Sequence, residues 1–357
     1  MRPPARPTVR AWLVSRAAVL ALMAFTAWLQ ARHGYGRSAV RGDATAFFAW
    51  DGGWYREIAN HGYRRDVALR FFPLYPLVSF NGLGLVVVAN AAALAYAEGL
   101  ARLTAFELGD ARAAARAPWL ALVNPAGFVL AIAYAEPLAL ALAVWCLYAA
   151  RRRRWRRAVP LAFALGLTRP TGLVVALPLA IEAWRSVGYR RRVVRRAGAP
   201  LAAVAAAPLG CASYLLWCHL ARGDAMAPFR VQQDPTLRGG VLVPPWPALA
   251  RAWRALLELG PWNLALRLVW IPLLLALLVV AARRLPASYT AYAAVLLVLA
   301  IGTPRLASFE RYALTAFPLL VAAASLRSRL VSVTLGAAFA LTFALYAILG
   351  FGNRYVP

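Results

Sequence analysis

The sequence predicts an all-α polytopic integral membrane protein, and three observations carry that prediction. Hydrophobic residues make up 62% of the 357-residue chain, and the mean hydropathy is +0.61. A soluble domain is nearer half apolar, so lipid has to solvate the excess. Apolar runs of about twenty residues, the length that crosses a hydrocarbon core of about 30 Å, recur from end to end. Clusters of arginine separate these runs.

About eleven transmembrane helices are predicted, within a single domain that covers residues 1–357. They are 11–30, 79–103, 117–133, 137–150, 158–169, 171–186, 198–220, 263–282, 286–302, 312–326 and 330–350. We interpret the first as a retained anchor, because no convincing small-residue cleavage site follows it. Several segments are shorter than about seventeen residues, so we expect some of them to be broken or to extend into their arginine-rich flanks.

The formal net charge of +27 is explained by membrane topology. The chain has no lysine, and its densest arginine runs, 151–157 and 185–196, lie between apolar segments. The positive-inside pattern places such loops, and with them the amino terminus, in the cytoplasm. Nucleic acid is not expected as a partner, because the runs lack the interleaved aromatic residues of a stacking platform.

This orientation leaves two long extracytoplasmic loops, at about residues 31–78 and 221–262. The first holds four of the thirteen acidic residues and many aromatic ones, and the second is rich in proline, tryptophan and arginine. Loops of this length between helices are uncommon unless they form a binding element or a lid. The sequence therefore predicts that function resides on the extracytoplasmic side.

The first outer loop carries the densest chemical signal. It contains WDGGWY at 50–55, a Gly-Tyr pair at 62–63, Asp66, and FFPLYP at 71–76. Glycines allow a backbone to approach a ligand closely, and Trp and Tyr rings at a membrane interface can stack on a sugar. A carboxylate beside them can remove a proton from an attacking hydroxyl. An aromatic belt with an incidental acid is the alternative that these residues leave open.

The string WDGGWY–IA–GY–FFPLYP resembles the PIG-V family of mannosyltransferases. Three further blocks follow in the family's order: NPAGF at 124–128 with AYAEP at 133–137, TRPTG at 168–172, and RY at 311–312 with FP at 317–318. The resemblance implies a GT-C-like helical fold that takes a sugar from a polyprenyl-phosphate donor. It further implies inverting transfer of mannose, from polyprenyl-phosphate mannose to a lipid or cell-envelope glycan acceptor outside the cytoplasm.

The resemblance also implies roles for charged residues. Asp51 matches the family's catalytic base, and Asp66 stands where a second acid, more often Glu, follows the Gly-Tyr pair. The lipid phosphate that leaves needs positive charge aimed at it, which an arginine fork supplies. Arg169 is the first candidate, with a snorkelling interface residue as its alternative. Arg311 and Arg305 are further candidates, and simple ion pairing with Glu310 is their alternative.

Sugar- or acceptor-binding candidates come from the same loop and from the second block. They are Trp50, Trp54, Tyr55, His61, Tyr63, Tyr75 and Glu136. A structural histidine is the competing interpretation of His61, and a solvated helix-end acid that of Glu136. No cofactor is predicted with certainty. Asp51 and Asp66 are hard oxygen ligands suited to a shared divalent cation, although their spacing matches no recognised metal motif.

Other functions stay open at this stage. The transferred sugar is not specified, and glucose, galactose or arabinose would use the same class of donor. A lipid or solute transporter would place ionisable residues near the bilayer midplane, where Glu98 is the clearest acid, and would carry paired broken repeats. A non-catalytic relative that only scaffolds other enzymes is expected to lack Asp51, which is present. The other candidate residues cluster at the outer face, which favours surface chemistry.

Overall fold

The computed structural model describes residues 5–34, 46–187, 194–234, 243–258, 265–303, 306 and 308–354. Every regular element within these ranges is helical. Four helices of the described ranges are long and apolar enough to cross a membrane: Pro7–His33, Gly82–Leu108, Gly198–Arg222 and Arg329–Phe351. The prediction of an all-helical chain with helices fit to span a membrane is confirmed at this level for the described residues.

The described α-helices are numbered in chain order. They are α1 Ala5–His33, α2 Asp51–His61, α3 Leu74–Ser79, α4 Gly82–Leu108, α5 Ala111–Leu122, α6 Glu136–Arg151, α7 Trp155–Gly166, α8 Ala176–Val187, α9 Val194–Arg222, α10 Ala227–Gln233, α11 Trp246–Leu257, α12 Arg267–Arg284, α13 Ala287–Ile301, α14 Phe309–Leu314, α15 Pro318–Ala324 and α16 Arg329–Phe351. Four 3-10 segments lie between them, at Ala46–Phe48, Asp66–Arg70, Gly127–Ala131 and Pro170–Val175.

The remaining predicted spans correspond to shorter or interrupted helices. The α7 helix, for example, has 12 residues, which at 1.5 Å per residue extend only about 18 Å. The expectation that short apolar segments are broken or extended is met by several of them. Among the described helices, the four named above match predicted spans in both length and hydropathy, and the number of crossings stays a prediction.

The prediction of one continuous helix over 117–133 is wrong. The α5 helix ends at Leu122, and a 3-10 turn begins at Gly127. Pro125 has no N–H with which to continue the helical ladder. The Asn124 side chain instead accepts a hydrogen bond from the N–H of Ala126 at 3.1 Å, which stabilises a turn at this point.

The predicted helix over 312–326 is also interrupted. The α14 helix ends at Leu314, and α15 begins at Pro318. Proline suits the first position of a helix because its missing N–H is unpaired there in any case. The predicted span over 171–186 likewise begins as the 3-10 segment Pro170–Val175 before it becomes α8. These interruptions bring polar groups into the interior.

Glycines let α7 and α9 pack with their backbones in close contact. A β-carbon at Gly166 would lie 2.1 Å from the carbonyl oxygen of Ala207, and one at Gly210 would lie 2.2 Å from that of Phe163. Small residues at helix interfaces are typical of membrane proteins, where close van der Waals contact replaces the hydrophobic effect between helices. A larger residue at either glycine would therefore push α7 and α9 apart.

An ion-paired cluster surrounds Arg151, the last residue of α6. Arg151 donates two hydrogen bonds to Glu107 at 2.8 and 3.0 Å, and one to Glu182 at 2.9 Å. The hydroxyl of Tyr289 donates to Glu107 at 2.9 Å. These bonds join α4, α6, α8 and α13 far from the first residue of α6, where the candidate site begins.

The two predicted outer loops contain helices. Residues 31–78 include α2 and α3, and residues 221–262 include α10 and α11. Residues 35–45, 235–242 and 259–262 of these loops lie outside the described ranges. The α10 helix packs against the 3-10 segment Asp66–Arg70, and Tyr214 of α9 donates to the carbonyl of Leu69 at 2.7 Å. Parts of both loops therefore meet.

Candidate active site

Four charged side chains from distant parts of the chain form one ion-paired cluster. Arg311 donates from Nη1 to Asp51 Oδ2 at 2.5 Å, and its Nε lies 3.4 Å from Glu136 Oε1. Arg169 forms a close ion pair with the same Glu136 carboxylate. Arginines and carboxylates alternate along the cluster, so each buried charge has an opposite partner.

Each member of the cluster stands where a helix begins or is interrupted. Asp51 and Glu136 are the first residues of α2 and α6, where the helix dipole stabilises a carboxylate. Arg169 lies between α7 and the 3-10 segment Pro170–Val175. Arg311 belongs to the six-residue α14. Interrupted helices of this kind occur at membrane depth where they line a cavity.

A cleft of about 60 Å³ opens beside the cluster. Its wall contains all four charged residues and also Arg70, from the 3-10 segment Asp66–Arg70. Three arginines against two carboxylates leave the cleft with a formal charge of +1, which favours an anionic ligand. The other lining residues are Tyr55, Phe71, Phe72, Thr168, Pro170, Gln232 and Tyr312.

Asp51 is the most accessible member of the cluster. Its side chain is 22% exposed, against 1% for Arg311, 2% for Glu136 and 13% for Arg169. A ligand in the cleft can therefore contact the Asp51 carboxylate directly, whereas Glu136 is buried and pairs with both Arg169 and Arg311. This difference indicates a direct role for Asp51 and a supporting role for Glu136.

Aromatic rings hold the cluster arginines in place. The Tyr312 ring lies 5.9 Å from the guanidinium of Arg169 and 5.4 Å from that of Arg311. The Tyr134 ring lies 5.2 Å from the guanidinium of Arg311. Cation–π contacts stabilise a desolvated cation, so both guanidinium groups are oriented before any ligand arrives.

Tyr55 is the aromatic residue of the WDGGWY motif that lines the cleft. Its ring packs edge-on against Phe71 and Tyr75, with centroids 5.0 and 4.9 Å away. Burial raises the pKa of the Tyr55 hydroxyl above its usual value, so the group stays protonated and can donate a hydrogen bond. Trp54 stacks on Phe71 and lies under Arg70, with the guanidinium 5.5 Å from its ring. Trp54 thus supports the cleft without lining it.

Three predicted sugar-binding aromatic residues use their polar atoms to hold the loop together. Tyr75 donates to the carbonyl of Leu85 at 2.8 Å, and Tyr63 donates to that of Phe71 at 2.7 Å. The indole N–H of Trp50 donates to a carbonyl near the end of α16 at 3.3 Å. None of the three lines the cleft, so their observed role is to position the loop.

Two predicted site residues lie away from the cleft. His61 ends α2 and is exposed. Asp66 lines a different surface pocket, where it lies 3.7 Å from Arg222 with 77% of its side chain exposed. Asp51 and Asp66 therefore face different pockets. In the described part of the chain, no group of three or more His, Cys, Asp or Glu is placed to hold a metal ion. Arg305 lies outside the described residues.

The geometry decides between the alternative interpretations of three charged residues. Arg169 is ion-paired and largely covered, rather than snorkelling at an interface. Arg311 pairs across the cluster, whereas the carboxylate of the neighbouring Glu310 accepts a hydrogen bond from Tyr346 at 2.8 Å. Glu136 is buried, so it is not a solvated helix-end acid.

Sequence reasoning did not select several residues that form the site. Arg70 immediately precedes the FFPLYP motif, and Tyr134 and Tyr312 lie within the second and last blocks. All three could therefore have been selected from their positions next to the candidate residues. Gln232 carries no signal in the sequence. It reaches the cleft because α10 packs against the 3-10 segment Asp66–Arg70.

Gly52 brings α2 close to the segment that precedes α6. A β-carbon at Gly52 would lie 3.2 Å from the carbonyl oxygens of both Ala133 and Phe47. A β-carbon at Gly53 would have one neighbour within 4 Å, the carbonyl oxygen of Phe48, at 3.4 Å. The first glycine of the motif is therefore the one that this packing requires, and it sets the position of the adjacent Asp51.

We predict that Gly52→Ala lowers both stability and activity, whereas Gly53→Ala is tolerated. Overpacking typically costs about 1–3 kcal/mol, and the better helix propensity of alanine offsets about 1 kcal/mol of it. At Gly53, alanine brings the same gain in helix propensity, and the added β-carbon meets little steric hindrance. Thermal unfolding of the two purified variants in detergent would measure the difference. Equal unfolding temperatures for both variants would contradict the assigned packing.

The cluster has the components of a site that handles an anionic substrate and a proton. It presents an accessible carboxylate, guanidinium groups in fixed orientations and a protonated tyrosine around one cleft. A carboxylate in that setting can accept a proton from a hydroxyl, and the arginines can bind phosphate oxygens in pairs. Comparison with protein-family models and with curated proteins finds no match for this chain.

Proposed function

We propose that the chain is an inverting glycosyltransferase of the cell membrane. It transfers a mannosyl residue from polyprenyl-phosphate mannose to a lipid or cell-envelope glycan acceptor on the extracytoplasmic side. The amino terminus then lies in the cytoplasm, as the arginine-rich loops favour. A GT-C-like arrangement of about eleven membrane segments, several of them short or interrupted, is part of the same proposal.

One observation carries the proposal. Each of the four sequence blocks that resemble the PIG-V family contributes one charged side chain to the same cluster. The contributions are Asp51 from the first block, Glu136 from the second, Arg169 from the third and Arg311 from the last. These blocks are spread over residues 50–318, yet their charged residues line one cleft. A common functional site explains why they occur together.

The charge of the cleft supports a lipid-phosphate sugar as the donor. A polyprenyl-phosphate sugar is a phosphodiester with one negative charge, which matches the formal charge of +1. Arg70, Arg169 and Arg311 can meet the phosphate oxygens, and arginine suits this because its planar fork binds two oxygens at once. The phosphate would compete with Asp51 for Arg311, which frees the carboxylate as the donor binds.

The reaction is a displacement at the anomeric carbon. The acceptor hydroxyl attacks that carbon, the bond to the phosphate oxygen breaks, and Asp51 takes the hydroxyl proton. The polyprenyl phosphate leaves as an anion, which positive charge already oriented in the cleft stabilises as it develops. Tyr55 can donate to a sugar or phosphate oxygen. Attack from the face opposite the phosphate inverts the anomeric configuration.

The proposal is tested by sugar transfer in membranes that contain the native chain. We expect radiolabelled polyprenyl-phosphate mannose to deliver its label to a lipid or glycan product that is absent from membranes without the chain. Donors with glucose, galactose or arabinose run in parallel identify another sugar if mannose is not the one used. A lack of transfer from every donor, across a broad acceptor extract, would overturn the proposal in favour of transport.

A further inference from the structure

The first helix carries a half-buried arginine, Arg16, that does not line the cleft. Arg16 lies within the candidate span Pro7–His33, and in the described part of the chain it pairs with no carboxylate. Its Nε and Nη2 atoms are enclosed there without a hydrogen-bond partner. A charged side chain within a membrane span is costly and usually marks a function.

The remaining nitrogen of Arg16 holds the interrupted segment between α5 and α6. Its Nη1 donates to the carbonyl of Leu130 at 2.8 Å and to Asn90 Oδ1 at 2.9 Å. Asn90 Nδ2 in turn donates to the carbonyl of Ala131 at 3.1 Å. Two consecutive carbonyls of the 3-10 segment Gly127–Ala131 therefore receive donors from α1 and α4.

A charged donor at this point has a physical reason. An interrupted helix leaves carbonyls without their helical partners, and lipid offers none in exchange. A hydrogen bond from a guanidinium is stronger than one from a neutral group. Arg16 and Asn90 together therefore stabilise a backbone conformation that the membrane would otherwise disfavour.

The segment that Arg16 holds leads directly to the cleft. The N–H of Ala133 donates to the carbonyl of Phe47 at 2.9 Å, and Ala133 lies against Gly52, the neighbour of Asp51. Three residues after Ala133, Glu136 begins α6 and pairs with both cluster arginines. A displacement of this segment would therefore shift both carboxylates of the cluster.

We propose that Arg16 is a positioning residue for the candidate active site. It fixes the segment from Gly127 to Ala135, so that Asp51 and Glu136 keep their separation from Arg311. The kinetic part of this inference rests on the proposed glycosyl transfer, and the structural part does not. In this proposal, the first helix both anchors the chain in the membrane and positions the candidate active site.

Thiol labelling of the full chain in membranes tests the structural part. Ala135 is fully buried, so Ala135→Cys is expected to react slowly with N-ethylmaleimide when Arg16 is present. Adding Arg16→Gln should raise that rate at least about tenfold, because the segment loses its charged donor. Arg64→Cys, at an exposed loop position, should react at the same rate in both backgrounds.

The native Cys146 separates local from general loosening. It is fully buried in α6, so peptide mass spectrometry should find it unlabelled in every variant. Continued protection of Ala135→Cys in the Arg16→Gln background would overturn the inference. Simultaneous labelling of Cys146 would also overturn it, since Arg16 would then act on the whole fold. If Arg16→Gln does not accumulate, Asn90→Ala replaces it with the same expected outcomes.

Kinetics test the link to the cluster. Arg16→Gln should lower kcat for sugar transfer by about 10–100-fold, the scale of an ångström-sized misplacement, and Arg16→Lys should recover part of the loss. The loss should shrink in a Glu136→Gln background, because Arg16 acts through that segment. An equal loss in both backgrounds would contradict this. If the native chain transfers no sugar, the proposed function fails while the labelling result still decides the role of Arg16.

Discussion

Asp51→Asn is expected to lower sugar transfer by about 10²–10⁴-fold, the usual contribution of general-base catalysis. The amide keeps the shape of the side chain and can still accept a hydrogen bond from Arg311, but it cannot take the proton of the acceptor hydroxyl. The loss should therefore fall on kcat. Transfer from radiolabelled polyprenyl-phosphate mannose, compared at equal amounts of membrane-inserted protein, measures it.

Two other acids of the same outer loop provide matched controls for Asp51→Asn. Glu57 pairs with Arg65 at the surface, so Glu57→Gln should leave transfer near the native rate. Asp66 is exposed and lines a different pocket, so Asp66→Asn should cost much less than Asp51→Asn. If Asp66→Asn abolished transfer and Asp51→Asn did not, the base would have been assigned to the wrong carboxylate.

Arg311→Met is expected to destabilise the protein by about 3–5 kcal/mol, the usual effect of removing one partner from a buried ion pair. The guanidinium is 1% exposed and faces both Asp51 and Glu136. Without it, Asp51 and the buried Glu136 lose the counter-charge that they share. A drop of several degrees in the unfolding temperature of the detergent-purified protein would record the effect.

A combined variant separates the electrostatic cause from lost packing. Arg311→Met with Asp51→Asn removes one charge of each sign and keeps the Glu136–Arg169 ion pair, so most of the lost stability should return while activity stays absent. Arg222→Met removes the exposed pair with Asp66 and an exposed hydrogen bond to the carbonyl of Tyr63. It should cost much less than Arg311→Met, because an exposed ion pair contributes at most about 1 kcal/mol. If the double variant is as unstable as Arg311→Met alone, the cluster does not stabilise the fold by charge pairing.

Apolar segments could be predicted from the sequence because hydropathy is a local property of the chain. The four longest helices fall on predicted spans, within a few residues at each end. The interruptions were harder to predict. Pro125 and Pro318 are visible in the sequence, but proline is also tolerated inside membrane helices when neighbouring groups satisfy the freed carbonyls. Whether a proline kinks a helix or ends it depends on which donors the rest of the fold supplies.

The site was predictable to the extent that its residues occur in recognisable blocks. Asp51, Glu136, Arg169 and Arg311 were all selected from those blocks, and the structure brings all four together. Asp66 was selected with them and lies elsewhere, because the 3-10 segment Asp66–Arg70 turns its first residue to the surface and its last to the cleft. Asp66 and Arg70 are only four positions apart in the sequence, and the sequence did not reveal that they face different pockets.

The sequence by itself determined that the chain is helical, rich in apolar segments of membrane-spanning character, and asymmetric in its placement of arginine. Composition, hydropathy and charge pattern are properties of neighbouring residues, so they can be read without the fold. Only the tertiary structure decided which charges pair. The helices had to break before Gly127, at Arg169 and before Pro318, and then pack together, before Asp51, Glu136, Arg169 and Arg311 could meet. Arg16 shows the same dependence, since it donates to the backbone carbonyl of Leu130, which becomes available only where a distant helix is interrupted.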